Sequence, residues 1–180
     1  MCMCDAPLKD VAFCSRCGAL KKSELTSPFK VFELEECFFD DLPLLQEKYL
    51  TLQNKLHPDR FTDAQEKKLS EDYSGYINWA YQLLKHPLNQ AEFLLKDFSG
   101  SLPQADLMEQ MEKHDFLESL VSKEERALFQ KNIEEEKNQT EHKMLHFLKQ
   151  KNKEKAGCYF MKLKFLSRLL EEIFSHQERL

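Results

Sequence analysis

The sequence predicts an all-α protein: an antiparallel helix hairpin followed by a three-helix bundle, preceded by a small metal-binding segment. Three observations predict it. Only 4 Gly and 6 Pro occur in 180 residues, against 42% hydrophobic and 32% charged residues, so tight turns are scarce. Apolar residues recur at steps of three and four through most of the chain beyond residue 40. Ser, Thr and Asp stand directly ahead of several of those runs, where helix caps are needed. The net charge of -5 gives no general reason to bind nucleic acid, and no apolar run approaches the length that spans a bilayer. The opening "MCMCDAPLKD" is neither a signal peptide nor an Arg-rich transit sequence, so the expected compartment is the cytoplasm, or the mitochondrial matrix if a presequence has been removed.

Residues 1–27 form the first segment, holding four of the six Cys and closing on the turn-prone "KKSELTSP". In a cytoplasmic setting Cys points to thiols or metal before disulfides. Cys14 and Cys17 make a C-x2-C pair followed by Gly18, and Cys2 and Cys4 a tighter C-x-C pair. Four thiolates would give tetrahedral zinc, closing a segment too small to fold without metal. An iron-sulfur or other metal centre and a redox-labile tail are the alternatives. Cys37 and Cys158 are singletons, expected as partly buried thiols.

Residues 28–98 hold the hairpin and a connecting helix. "FKVFEL" is apolar enough for about two turns. Asp40 or Asp41 offers an N-cap to "LPLLQEKYLTLQNKL", with Pro43 tolerated in the first turn. Leu45, Tyr49, Leu52 and Leu56 share one face of that helix, and Lys48, Thr51 and Lys55 the opposite one. Pro58 lacks an N–H and biases its predecessor away from helical angles, so the helix stops near Leu56 or His57. Thr62 and Gln65 then read as a capping box opening the next helix, with Leu69, Tyr73, Tyr76, Ala80 and Leu83 on its buried side. Pro87 ends it, and "LNQAEFLLKDF" forms a short helix closed by Ser99 and Gly100.

Residues 101–180 are read as the bundle. One helix covers 104–121, a capping box at Ser122 and Glu125 opens a second that runs to about Asn152, and a third buries Tyr159, Leu163, Leu166, Leu170 and Ile173. Phe116, Leu117 and Leu120 are expected to face inward. Gly157 is either a break or a tolerated interior glycine. "EEEKNQTEHK" reads as a solvated face.

Between the first two long helices stands "LHPDRF". From 6 His, 6 Pro and 10 Asp, His-Pro-Asp arises by chance roughly once in a hundred such chains. The context adds to it: an amphipathic helix with lysines outward, the tripeptide in the loop, and a capped helix returning alongside. Residues 29 to 87 resemble a J domain. Residues 29 to about 175 resemble the HscB family of J-protein co-chaperones, which serve iron-sulfur cluster assembly. "FKVFEL", "KLHPDRF", "YINWAYQLLKHPLNQAEFLL", "LMEQMEKHDFLESL" and "KLKFLSRLLEE" carry the match.

The resemblance implies that the hairpin docks on an ATP-loaded DnaK/HscA-type chaperone and accelerates its ATP hydrolysis through His57, Pro58 and Asp59, the chain itself being no enzyme. Proline fixes the loop and the aspartate offers a carboxylate for charge-assisted hydrogen bonds. Lys48, Lys55 and Arg60 would steer the chain toward an acidic patch. The resemblance also implies that Leu107, Met108, Met111 and Phe165 are apolar anchors, and Glu112 and Asp115 acidic partners, for an IscU-type cluster scaffold. Methionines pack adaptably at binding surfaces, but a stripe at this spacing also suits a bundle core. Two departures from the family stand out. Gln90 occupies a position where an arginine is common, and the first cysteine pair is C-x-C where metal-binding members carry two C-x2-C pairs. A J protein for an unrelated client and a thiol or metal-trafficking protein are the competing readings.

Overall fold

The computed structural model describes residues 6–7, 12–22 and 27–177, and the chain divides into two compact units, Met1–Gln90 and Ala91–Leu180. Among the described residues the regular structure is seven α-helices, one 3-10 turn and a single isolated bridge between Phe13 and Leu20.

In the first unit α1 spans Pro28–Val31, one turn where the sequence suggested two. Glu33 takes φ 53, its N–H bonding Lys30 O while Leu34 N–H bonds Phe29 O. This is a Schellman closure with glutamate in the place glycine usually takes. It lets Phe29, Val31 and Phe32 all bury, which a longer straight helix could not. Helix α2, Leu42–Lys55, is capped by Asp41, whose carboxylate accepts from Leu44 N at 3.0 Å. It buries Leu45, Leu52 and the C-cap Leu56, with Tyr49 half-buried.

Helix α3, Ala64–Lys85, departs from expectation at two points. Its cap is Asp63, not Thr62: the carboxylate accepts from both Gln65 N and Glu66 N, and its charge suits a helix N-terminus. The buried face is Ser70, Tyr73, Ile77, Ala80 and Leu84, so Leu69, Tyr76 and Leu83 are only half-buried. Tyr73 and Ala80 lie on the buried face as expected, while Ser70, Ile77 and Leu84 take the places of Leu69, Tyr76 and Leu83, each one position on. Across the pair, Tyr49 stacks on Tyr81 with ring centroids 4.2 Å apart, and both Tyr49 Oη and Gln53 Nε2 donate to Asn78 Oδ1.

Pro87 opens α4, Pro87–Leu95. Here Gln90 is buried and fully used: its Nε2 donates to Phe39 O and Leu84 O, and its Oε1 accepts from Phe39 N at 2.9 Å. An amide supplies both donor and acceptor, and arginine would supply donors only.

The second unit holds α5 (Gln104–Ser119), α6 (Lys123–Lys149) and α7 (Lys153–Gln177). The capping box of Ser122 and Glu125 forms in both directions. Helix α6 ends a turn short of Asn152. Lys151 at φ 57 makes a second Schellman closure, and the Asn152 side chain then accepts from Lys155 N to start α7. Gly157 is an interior glycine of α7: a Cβ there would lie 2.5 Å from the Phe98 ring. One core cluster is Leu117, Leu120, Phe129, Ile133, Leu166, Leu169, Leu170 and Ile173; Met144, Leu148, Ala156 and Leu163 are buried as well, and Phe160 takes the buried place expected of Tyr159, which is half-buried. Phe116, expected inside, is 51% exposed and meets Phe129 edge-on at 5.2 Å. With Leu117 as α5's buried contact, the neighbouring position turns outward. No helix among the described residues is long and apolar enough to cross a membrane.

Candidate functional site

The corner between α2 and α3 is displayed outward and held from behind. Pro58–Arg60 form a 3-10 turn with His57 as its N-cap. The His57 and Asp59 side chains are 57% and 82% exposed. His57 Nδ1 lies 3.3 Å from Asp59 N and 3.5 Å from Asp59 Oδ2, so the backbone and carboxylate of Asp59 both face the ring. Behind the turn, the Leu56 carbonyl is an orphan of the α2 terminus. It accepts from Ser70 Oγ at 2.5 Å and Ser74 Oγ at 3.2 Å. Arg60 bends back so that its guanidinium donates to Asn54 O at 2.9 Å, placing a cation on the negative end of α2. Its charge therefore has a local use as well as the steering one.

Lys48 and Lys55 lie on the outer side of α2, along a groove of about 310 Å³ whose walls include Val31, Phe32, Leu44 and Thr51. Its rim mixes signs, Lys48 and Lys55 with Glu33 and Glu47, over an apolar floor that includes Leu52, so it can receive a partner surface of paired charges around an apolar side chain.

On α5, Leu107, Met108 and Met111 are 47%, 56% and 69% exposed, so they are not bundle core. At about 100° per residue, they fall with the exposed Glu112 and Asp115 on one half of the helix. Phe165 differs. It is half-buried and packs against the core cluster, so only part of its ring remains available. The opposite side of α5 carries charges that the sequence reading did not single out. Glu109 pairs with Lys113 along the helix and with Lys162 of α7 at 3.0 Å, and Lys113 reaches Glu136 of α6 at 2.7 Å. Hydrogen bonds from Lys113 and Lys162 hold the Glu109 carboxyl below the usual carboxylate range. Desolvation pulls the Lys162 ammonium down, but the hydrogen bonds and charges of Glu109 and Glu136 together raise it above its ordinary value. The Glu109–Lys113 spacing of four was legible; the partners on α6 and α7 were not.

Cys2 and Cys4 lie outside the described residues. Cys14 is buried and Cys17 exposed on a tight turn, in which Cys14 N bonds Ala19 O, Gly18 N bonds Cys14 O and Gly18 takes φ 70. The left-handed Gly18 lets the chain reverse directly after Cys17. The turn is anchored to α3 by Tyr73 Oη donating to Lys21 O at 2.7 Å.

A family model described as the HSCB C-terminal oligomerisation domain matches residues 102–174. The chain is 30% identical over 168 residues to the co-chaperone protein HscB homolog of Pasteurella multocida, covering 86% of this chain and 98% of the relative. Among solved structures, human co-chaperone protein HscB superposes with a TM-score of 0.66 at 25% identity, over 97% of this chain and 94% of that one. Chaperone HscB from Vibrio cholerae gives 0.59 at 28%, over 86% and 99%.

Proposed function

Because the chain belongs to the HscB family of co-chaperones, we propose that it stimulates ATP hydrolysis by a DnaK/HscA-type chaperone and delivers an IscU-type scaffold to it during iron-sulfur cluster assembly. The observation that carries this reading is the corner at His57–Asp59, with imidazole and carboxylate in solvent and the backbone beneath them pinned by Ser70 and Ser74. A docked corner accelerates the partner only by binding its ATP-bound state better than the alternative state. The chain performs no bond chemistry itself in this account. Lys48 and Lys55 set encounter and register, and His57 and Asp59 engage the partner's polar groups. Leu107, Met108 and Met111 present the apolar contact for the scaffold, fringed by Glu112 and Asp115 and extended by the free part of Phe165.

Zinc is part of the same reading. Cys14 and Cys17, with Cys2 and Cys4, would hold it, and its contribution would be structural, tying the N-terminal segment together. Metal content of the purified chain should be near one zinc per chain and should fall on Cys14→Ser; metal-free protein with an intact fold would refute that part.

The function is tested by steady-state ATP hydrolysis of an HscA-type chaperone with this protein and the scaffold, separately and together. Each should stimulate, and the pair should exceed their sum. His57→Gln should abolish stimulation by the chain with the fold unchanged. Met108→Ala with Met111→Ala should weaken scaffold binding and leave stimulation by the chain alone intact. Full stimulation by the His57 variant would sink the docking assignment.

A further inference from the structure

Leu102 is buried ahead of α5 and Leu117 is buried near its end, but from Pro103 through Phe116 no residue is buried. A helix that spends its apolar residues on its outward face has few left to bury inward. The stretch bearing Leu107, Met108 and Met111 is therefore not held down by its own hydrophobic burial; among the described residues its side-chain ties to α6 and α7 are ionic, with a His114–Glu172 contact at 3.7 Å further along the helix. Glu109 accepts from Lys162 Nζ at 3.0 Å, Lys162 reaches Glu136 at 3.1 Å, Lys113 reaches Glu136 at 2.7 Å, and Lys113 pairs with Glu109. The four alternate in sign around a closed ring joining α5, α6 and α7, and each touches two opposite charges. The Lys113 and Lys162 side chains are 17% and 18% exposed and Glu136 26%, so water screens the pairs with Glu136 less than surface ones, while Glu109 at 42% sits at the wetter edge of the ring.

We propose that the ring of Glu109, Lys113, Glu136 and Lys162 is a clamp that fixes the orientation of the Leu107–Met111 face, making these four the positioning residues for scaffold recognition. The recognition half of this statement rests on the scaffold-binding reading above. The clamp half stands on geometry alone. Ion pairs suit the task because they are directional: apolar contact would let α5 roll on its neighbours, whereas a closed ring with fixed partners admits one register.

Inverting the charges on α5 alone (Glu109→Lys with Lys113→Glu) sets like charges against Glu136 and Lys162 while keeping a pair within the helix. Adding Glu136→Lys with Lys162→Glu restores alternation around the ring. In hydrogen exchange on the full chain, the twofold variant should expose the amides of 108–113 by about tenfold or more. Those of α6 and α7 should stay protected, and the fourfold variant should return α5 to its original rate. Scaffold affinity should fall and recover in step. Unchanged α5 exchange in the twofold variant, or no recovery in the fourfold one, overturns the clamp. If exchange follows the expected pattern but neither this variant nor Met108→Ala affects scaffold binding, the clamp is supported and the scaffold assignment is what fails. If Met108→Ala weakens binding but the twofold variant does not, the positioning role is overturned.

Discussion

Ser70→Ala, Ser74→Ala and their combination test whether the corner is rigid because of what lies behind it. Leu56 is wholly buried, and its carbonyl, left over at the end of α2, accepts from Ser70 Oγ at 2.5 Å and Ser74 Oγ at 3.2 Å. Losing the shorter bond alone leaves the second hydroxyl to serve the carbonyl, at a cost of about 0.5–1.5 kcal/mol. Losing the longer one alone should cost less than that. Removing both strands a buried acceptor, which costs roughly 1–3 kcal/mol, so the double variant should exceed the sum of the singles. Against a typical stability of about 5–15 kcal/mol the unit remains folded. Trp79, the single tryptophan, lies on α3 and reports this unit by fluorescence during urea unfolding. Chaperone stimulation should drop in the double variant although His57 and Asp59 are untouched. A double variant no less stable than the two singles predict together would refute the shared-carbonyl reasoning.

Gly157→Ala gains roughly 1 kcal/mol of helix propensity, but its methyl meets the Phe98 ring at 2.5 Å and overpacking costs about 1–3 kcal/mol; thermal unfolding by circular dichroism should show a lower midpoint, and a higher one would deny the close approach. Gln90→Arg removes the acceptor for Phe39 N and brings a charge into a buried site, so urea unfolding followed at Trp79 should show a loss of about 3 kcal/mol or more. Glu109 binds its proton less readily folded than unfolded, so its stabilising effect is full above the unfolded carboxylate value of 4.5 and is lost as pH falls through the lowered folded value. Lys162, held above its ordinary value, stays charged throughout that range. In a His114→Gln background, which removes the imidazole contacts to Glu118 and Glu172, hydrogen exchange of residues 108–113 should therefore be flat from pH 7 to 5, after correction for the intrinsic rate, and rise below about 4; a rise already at pH 6 would contradict the pairing.

Much of the fold was legible because its signals are local. Asp41, Pro43, Pro58, Pro87 and the Ser122–Glu125 box each act on the backbone within a few residues, and each ends or begins a helix where the chain needs it. The exposed corner followed from Pro58 for the same reason. At the α3 seam, Phe116 and Gly157 a distant partner decided, whereas the α3 cap passed from Thr62 to Asp63 between neighbours. The seam of α3 turned by one position because Ser70 answers the Leu56 carbonyl, fourteen residues away. Phe116 faced outward, its ring edge-on to Phe129, because Leu117 took α5's buried position in the core cluster. Gly157 was ambiguous until the Phe98 ring lay on it.

The sequence by itself determined the long helices, the ends set by Asp41, Pro58 and Ser122, the outward His57–Asp59 turn and the family signature, since propensity, capping and proline chemistry act over a turn or two of chain. Only the tertiary structure decided which side of α5 is offered to solvent and what holds the other side. Glu109 and Lys113 become a clamp only when α6 and α7 bring Glu136 and Lys162 within about 3 Å. Charge pairing across helices depends on packing distance, and no local pattern encodes that.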